Sequence, residues 1–206
     1  MKRSLLMIEI RHLDKSFGEK QIFRDFSCSF PEGETTCIMG PSGCGKTTLL
    51  NLLLGLEQPD SGSVSGMAGK KRSMVFQENR LVEGMGPVPN LRLVNPAVTR
   101  KEAEEMLRAL GLSDSLHQPV RTLSGGMRRR VSILRALAAE YDILFADEPF
   151  KGLDEKTKSQ VISYFQEKTR GKTVLLVTHD REEAQAVGGF LLELGNRHCV
   201  FSSPEV

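Results

Sequence analysis

The chain has 206 residues, of which 39% are hydrophobic and 26% charged, and its formal net charge is +2. That length suits one large or two small domains, and the balanced charge gives no reason to expect a nucleic-acid-binding surface or a polybasic membrane tail. No apolar run approaches the ~18 residues of a membrane-spanning helix, so work at a membrane would need another chain to span it. The four cysteines show no metal-binding spacing and indicate reduced thiols in a cytosolic protein.

The N-terminal part of the chain predicts strands, then a glycine-rich loop, then a helix. The predicted strands lie at residues 5–10, 22–30, 35–39 and 73–76, with a further short strand among the turns of 59–69. Residues 46–54 predict a helix that ends near Gly55. A strand that runs into a glycine loop and then a helix is the context in which a phosphate-binding loop is credible.

The middle of the chain has a different pattern. Residues 83–96 are rich in proline and glycine and show little periodicity, whereas residues 99–110 predict a helix that Gly111 ends. Thr99 and Glu102 have the spacing of a capping box at the start of that helix. Strand patterns return at residues 142–147 and 173–178, each before a helical pattern. Strands that alternate with helices predict an α/β fold with a parallel, helix-covered sheet.

Residues 40–47 form a complete phosphate loop, with glycines where backbone N–H groups must approach phosphates closely. Lys46 supplies a mobile cation for the β- and γ-phosphates of ATP, and Thr47 offers a hydroxyl to Mg²⁺. The predicted nucleotide-binding residues of this loop and its edge are Gly40, Pro41, Ser42, Gly43, Cys44, Gly45, Lys46, Thr47 and Thr48.

Asp147 and Glu148 end an apolar strand, at the sheet edge where phosphate loops also lie. We expect Asp147 to hold Mg²⁺ and Glu148 to act on the attacking water as base or orienter. The alternative is an acidic pair in solvent, and the phosphate loop earlier in the chain argues against this interpretation.

The signature segment, residues 123–127, reads Leu-Ser-Gly-Gly-Met and precedes a helical pattern. Ser124 suits an N-cap, and Gly125 and Gly126 would let an anion approach the helix N-terminus. Because the chain has one phosphate loop, this second anion site predicts a contact with a partner's nucleotide; the alternative is an ordinary capped helix. The arginines at 128–130 point in different directions on a helix, which predicts a solvated or ion-paired face instead of one basic patch.

In this order the motifs resemble those of the nucleotide-binding subunit of ATP-binding cassette (ABC) transporters, over residues 7–200 or nearly so. The resemblance implies that Gln77 senses the γ-phosphate and Mg²⁺, that His179 contacts the γ-phosphate, and that Lys46 and Glu148 join them in catalysis. It also implies that Asp154 couples two protomers at the nucleotide and that Phe17 stacks on adenine, although Phe17 could instead be a core residue. His12, His117 and His198 are interpreted as ordinary histidines.

The family's fold is a P-loop NTPase core with a mostly parallel sheet, an N-terminal antiparallel β subdomain and a helical insert. The resemblance therefore implies a single domain over residues 1–206, with core and β subdomain at 1–78 and 139–206 and a helical subdomain at 79–138. The sequence departs from the family pattern at Lys151, where a small residue is usual, and at Met127, where Gln is common.

The resemblance implies an ATPase that dimerises head to tail around two ATP molecules at the cytoplasmic face of the plasma membrane. It implies an identical second subunit, a separate integral-membrane permease, possible cooperation with a solute-binding protein, and no nucleic acid. The segment at residues 78–81 is similar to importers of sulfonates and nitrate. Alternatives are an exporter or lipoprotein-release ATPase, a soluble ABC ATPase, and a phosphate-loop kinase or GTPase, although the Asn-Lys-x-Asp motif of a GTPase is absent.

Overall fold

The computed structural model describes residues 7–195 and 199–202, which form two β-sheets and six α-helices. The strands are β1 (Met7–Phe17), β2 (Lys20–Pro31), β3 (Thr35–Met39), β4 (Ser61–Ser65), β5 (Arg72–Val75), β6 (Ile143–Asp147), β7 (Thr173–Val177), β8 (Phe190–Leu194) and β9 (Cys199–Ser202). The helices are α1 (Lys46–Leu54), α2 (Pro87–Val94), α3 (Arg100–Ala109), α4 (Gly125–Ala138), α5 (Glu155–Thr169) and α6 (Arg181–Val187). None of the helices in these described ranges is long and apolar enough to cross a membrane.

The larger sheet has the strand order β5-β6-β7-β3-β8-β9. Its first five strands are parallel, and β9 pairs with β8 in the antiparallel sense. Every residue of β6 and β7 is buried, as expected for central strands that are covered on both faces. The α/β fold with a mostly parallel sheet is therefore confirmed. The carboxyl ends of β3 and β6 place the phosphate loop and the acidic pair Asp147 and Glu148 at one edge of this sheet.

The smaller sheet, in the order β2-β1-β4, is antiparallel. β1 continues to Phe17, well beyond its predicted end at residue 10, whereas β2 begins two residues before and ends one residue after its predicted range. Residues 5 and 6 of the first predicted strand lie outside the described residues. Register shifts in β1 and positive φ angles at His12 and Asp25 accommodate irregularities that interrupt the alternation in the sequence. The predicted end of β1 was therefore too early, because the local pattern changes phase at these irregularities.

Within residues 79–138 the capping box of α3 is confirmed. The Thr99 hydroxyl accepts from Glu102 N, and the Thr99 backbone N–H donates to the Glu102 carboxylate. The prediction of an irregular segment at 83–96 was wrong for α2, because Pro87 occupies its first turn, where no intrahelical N–H is needed. Asn90, fully buried in α2, bonds both the N–H and the carbonyl of Val82 and so holds the preceding loop against the helix.

Two apolar clusters cover opposite faces of the larger sheet. Leu144 and Ala146 of β6 pack with the helices α2 to α5, while Ile143 and Phe145 pack with α1 and the smaller sheet. The division follows from the alternation of side chains along a strand. The same strand that carries Asp147 at its end is thus held rigidly from both sides.

Candidate active site

The phosphate loop connects β3 to α1, and the surroundings of Gly45 leave no room for a side chain. Gly45 has φ 107°, and a Cβ added there would lie 2.6 Å from Ile22 Cγ2 and 2.8 Å from the Phe23 ring. The ammonium of Lys46 donates to the carbonyls of Gly40 at 2.7 Å and Pro41 at 2.9 Å. The smaller sheet therefore packs directly on the loop, and the cation of Lys46 lies over the backbone that would cradle phosphates.

Thr47 and Asp147 meet although they are 100 residues apart. The Thr47 hydroxyl donates to Asp147 Oδ2 at 2.8 Å, and the Asp147 side chain is buried at the end of β6. Burial raises the pKa of Asp147, a rise that the Thr47 hydrogen bond opposes and the neighbouring charge of Glu148 increases. A hydroxyl and a carboxylate oxygen side by side are hard oxygen donors of the kind that Mg²⁺ takes beside phosphates and water, so this donor set fits the ion.

Both carboxylate oxygens of Glu148 face basic side chains. Lys151 Nζ lies 2.7 Å from Oε2, and His179 Nδ1 lies 3.0 Å from Oε1. Burial raises the pKa of Glu148, but its contacts with Lys151 and His179 outweigh that effect and hold the pKa below its usual value. The backbone of Glu148 is left-handed, with φ 45°, and its N–H donates to the Val177 carbonyl at 2.9 Å. Such a conformation persists only where the surrounding structure imposes it.

Arg129 is a site residue that the sequence reasoning missed. It is 4% exposed, and its guanidinium donates five hydrogen bonds to backbone carbonyls at the ends of β5 and β6. Burial lowers its pKa to about 10, against the opposing effect of the Asp147 and Glu148 charges. The expectation of a solvated or ion-paired face was therefore wrong for Arg129, because this position shares its helix face with buried Ser132 and Ile133.

The signature segment has the predicted N-cap. The Ser124 hydroxyl accepts from Met127 N at 3.2 Å, and a Cβ added at Gly125 would meet nothing within 4 Å. A Cβ added at Gly126 would lie 3.8 Å from the Gly152 carbonyl, so the start of α4 lies beside the loop that ends at Asp154. Among the described residues, no hydrogen bond connects residues 124–126 with residues 40–47. The two anion-binding elements are thus not hydrogen-bonded to each other within the described part of one chain.

Asp154 and Gln77 have partners of other kinds. The Asp154 carboxylate is the N-cap of α5 and accepts from Thr157 N at 3.0 Å. Gln77 follows β5 with its side chain exposed, while its backbone carbonyl accepts from Arg129 at 3.1 Å. The exposed Gln77 side chain is therefore accessible to a nucleotide, as its predicted role requires. The Asp154 side chain is held at the start of α5, where its predicted role is to couple two protomers.

Phe17 ends β1 with 46% of its surface exposed, which excludes the alternative of a core residue. The ammonium of Lys15 lies 4.8 Å from the centre of the Phe17 ring, and the Lys15 side chain is largely buried. That ammonium also donates to the Gln58 carbonyl at 2.8 Å and lies 3.3 Å from the Glu57 carboxylate. A fixed cation thus supports the exposed ring, in the favourable geometry of a cation–π contact.

A family model described as ABC transporter matches residues 23–151 of the chain. The chain belongs to the ABC transporter family. The aliphatic sulfonates import ATP-binding protein SsuB 2 of Pseudomonas fluorescens is 37% identical over 188 residues, covering 87% of this chain and 70% of the relative. The taurine import ATP-binding protein TauB of Escherichia coli (strain K12) is 38% identical over 195 residues, covering 86% and 75%.

A solved structure of the same kind is the dimeric, post-hydrolysis state of the ATP-binding cassette MJ0796, bound to ADP and Pi. It matches this ABC ATPase with a TM-score of 0.82 and 28% sequence identity, covering 95% of this chain and 98% of the other. The predicted family, the ATPase class and the P-loop NTPase fold with its antiparallel sheet and helical insert are therefore confirmed.

Proposed function

We propose that this ABC ATPase is the ATP-hydrolysing subunit of a bacterial importer for sulfonate-type organic anions. The importer class and the solute class are supported by the similarity to import proteins named for aliphatic sulfonates and taurine. The observation that carries the hydrolytic role is the meeting of Lys46, Thr47, Asp147, Glu148 and His179 at one edge of the larger sheet.

In the proposed mechanism these residues divide the work on ATP. The phosphate loop and Lys46 bind the β- and γ-phosphates, while Thr47, Asp147 and Gln77 hold Mg²⁺. Bound Mg²⁺ neutralises phosphate charge. Glu148 orients the attacking water and accepts its proton, and His179 holds the Glu148 carboxylate in place while it contacts the γ-phosphate.

The remaining contacts with nucleotide come from Phe17, which stacks on adenine, and from a partner protomer. In a head-to-tail homodimer, the N-terminus of α4 with Ser124, Gly125 and Gly126 faces the γ-phosphate held by the other chain. Asp154 lies in the loop beside this helix start and couples the two protomers. Because residues 124–126 are not hydrogen-bonded to residues 40–47 in the described part of one chain, each motif is available to complete the other chain's site.

Glu148→Gln tests the dimer and the catalytic role together. With ATP and Mg²⁺ we expect this variant to run as a dimer in size-exclusion chromatography with light scattering and to hydrolyse ATP at least 100-fold more slowly, by loss of the base and of its orientation of water. Glu105→Gln, at an exposed position of α3, is the matched control and should behave as wild type. A Glu148→Gln protein that binds ATP but stays monomeric would contradict the proposal that each nucleotide site is formed by both protomers.

We propose that the permease docks on the helical segment at residues 79–138. The apolar side chains of Val82, Met85, Leu93 and Val94 are each more than one-third exposed there. Asn90 ties the Val82 loop to α2, so the loop and the helix present their apolar side chains from one fixed unit. Through this contact the ATPase would lie at the cytoplasmic face of the plasma membrane, together with the permease and a solute-binding protein.

Affinity capture from detergent-solubilised native membranes tests this docking and the importer class. We expect the tagged chain to retain a polytopic permease, and the double variant Leu93→Ser and Val94→Ser to lose it while hydrolysing ATP normally. Leu56→Ser, at an exposed apolar position after α1, is the control. Recovery of an exporter or lipoprotein-release permease would move the protein to that class, and recovery of soluble partners alone would refute the transport role.

A further inference from the structure

Arg129 uses every donor of its guanidinium inside the protein. Its five N–H groups match five acceptors: Nε donates to Pro149 O, Nη1 to Phe76 O and Gln77 O, and Nη2 to Asp147 O and Glu148 O, at 2.6–3.1 Å. These carbonyls belong to two chain segments that leave adjacent strands, β5 and β6. One side chain of α4 therefore joins the segment of Gln77 to the segment of Glu148.

The backbone that Arg129 holds is strained at the residue that matters for hydrolysis. Glu148 has φ 45°, and its carbonyl accepts from Arg129 Nη2 at 2.6 Å while its N–H donates to Val177. Fixing the peptide groups on both sides of Glu148 fixes the direction of its Cα–Cβ bond, from which the carboxylate extends to Lys151 and His179. A lysine at position 129 could supply at most three donors from a single atom, so it could not span both segments in the same way.

α4 is also bound to β5 and to the segment that follows it at other points along its length. Arg135 Nη1 donates to the Arg80 carbonyl at 2.7 Å, and the Ser73 hydroxyl donates to the Ala136 carbonyl at 2.8 Å. The N-terminus of this helix carries the signature segment, one and a half turns before Arg129. A displacement at Ser124 thus has a short, hydrogen-bonded route to Gln77 and Glu148 of the same chain.

We propose that Arg129 is a positioning residue that couples the two nucleotide sites of the dimer through α4. This inference rests on the proposed function, in which Ser124–Gly126 contact the partner's nucleotide and Glu148 serves the chain's own. Binding of nucleotide against the start of α4 sets the position of the helix, and the Arg129 guanidinium transmits that position to the backbone of Glu148 and Gln77. Hydrolysis at one site then depends on occupancy of the other.

The test compares Arg129→Gln and Arg129→Lys with wild type in steady-state ATPase assays of the purified chain. The control is Arg128→Gln, a neighbouring helix position where the side chain's Nε has no hydrogen-bond partner among the described residues. For Arg129→Gln we expect kcat to fall about 10- to 100-fold, because small misplacements of a catalytic group cost this much. The ATP dissociation constant, measured without turnover, should change less than about threefold. The Hill coefficient should fall from a wild-type value above about 1, with about 2 as the upper limit for two sites, to about 1.

Arg129→Lys separates positioning from folding. It keeps the charge and should fold, with partial recovery of kcat and a Hill coefficient that stays near one. If Arg129→Gln does not fold, this variant decides: a folded Arg129→Lys protein with wild-type cooperativity overturns the proposal. So does a loss of kcat and ATP affinity in equal proportion, which would show a scaffold role only, or a wild-type Hill coefficient of one. A wild-type chain that binds no ATP overturns the proposed function as well, whereas normal hydrolysis in Arg129→Gln overturns the coupling alone.

Discussion

Lys151 is the departure from the family pattern that the structure connects most directly with hydrolysis. Its ammonium lies 2.7 Å from Glu148 Oε2, while His179 occupies the other carboxylate oxygen. By lowering the pKa of Glu148, the Lys151 contact makes this carboxylate a weaker acceptor for a proton from water. We therefore expect Lys151→Ala to increase the basal ATPase rate, because it removes a contact that holds the base in its resting position.

The magnitude follows from the exposure of the pair. The Lys151 side chain is 56% exposed and that of Glu148 16%, so the contact resembles a surface ion pair more than a buried one. Such pairs contribute roughly 0.2–1 kcal/mol, and about 1.4 kcal/mol corresponds to a tenfold change in rate. The upper part of that range corresponds to an increase in kcat of about two- to fivefold.

The assay is phosphate release at saturating ATP and constant protein concentration. Lys151→Arg keeps the charge and should hydrolyse at the wild-type rate, and Lys156→Ala, an exposed lysine at the start of α5, controls for the loss of a surface cation. An unchanged or lower kcat in Lys151→Ala would refute the reasoning, since it would show that the ion pair is already released, or is useful, in the ATP-bound dimer.

Three further substitutions test other parts of the site and fold. Lys46→Ala should weaken ATP binding about tenfold or more, as expected for a lost charged hydrogen bond, and an unchanged dissociation constant would exclude Lys46 from the phosphates. Phe17→Ala should cost about 1–3 kcal/mol of nucleotide affinity, whereas Phe17→Tyr should bind normally; equal affinity in both would exclude stacking. Thr99→Ala should lower the free energy of unfolding by about 1 kcal/mol in urea titrations through loss of the α3 cap, and full stability would mean that the cap contributes nothing.

The features that the sequence predicts well are local ones. The helix after the phosphate loop begins at Lys46 and ends before Gly55 as predicted, since its start and stop signals lie within the segment itself. The capping box at Thr99 is equally local. The edge that unites Thr47 and Asp147 could be inferred because parallel strands bring their carboxyl ends together.

The features that the sequence did not reveal depend on distant partners. The carbonyls that Arg129 binds belong to residues 18–20 positions later and 52–53 positions earlier in the chain. The sequence around Arg129 therefore does not indicate these partners. One signal was present: Arg129 precedes Ile133 by four residues and therefore lies on the apolar face of α4. The α2 helix is hard to predict for another reason, because proline is typical both of irregular structure and of the first turn of a helix, where Pro87 lies.

The support beneath Phe17 bears on which nucleotides this ATPase consumes. With Lys15 at 4.8 Å on one side, the ring offers a flat surface that attracts a base through its π face and reads none of its edges. Guanine and adenine share such faces, so this platform by itself does not discriminate GTP from ATP.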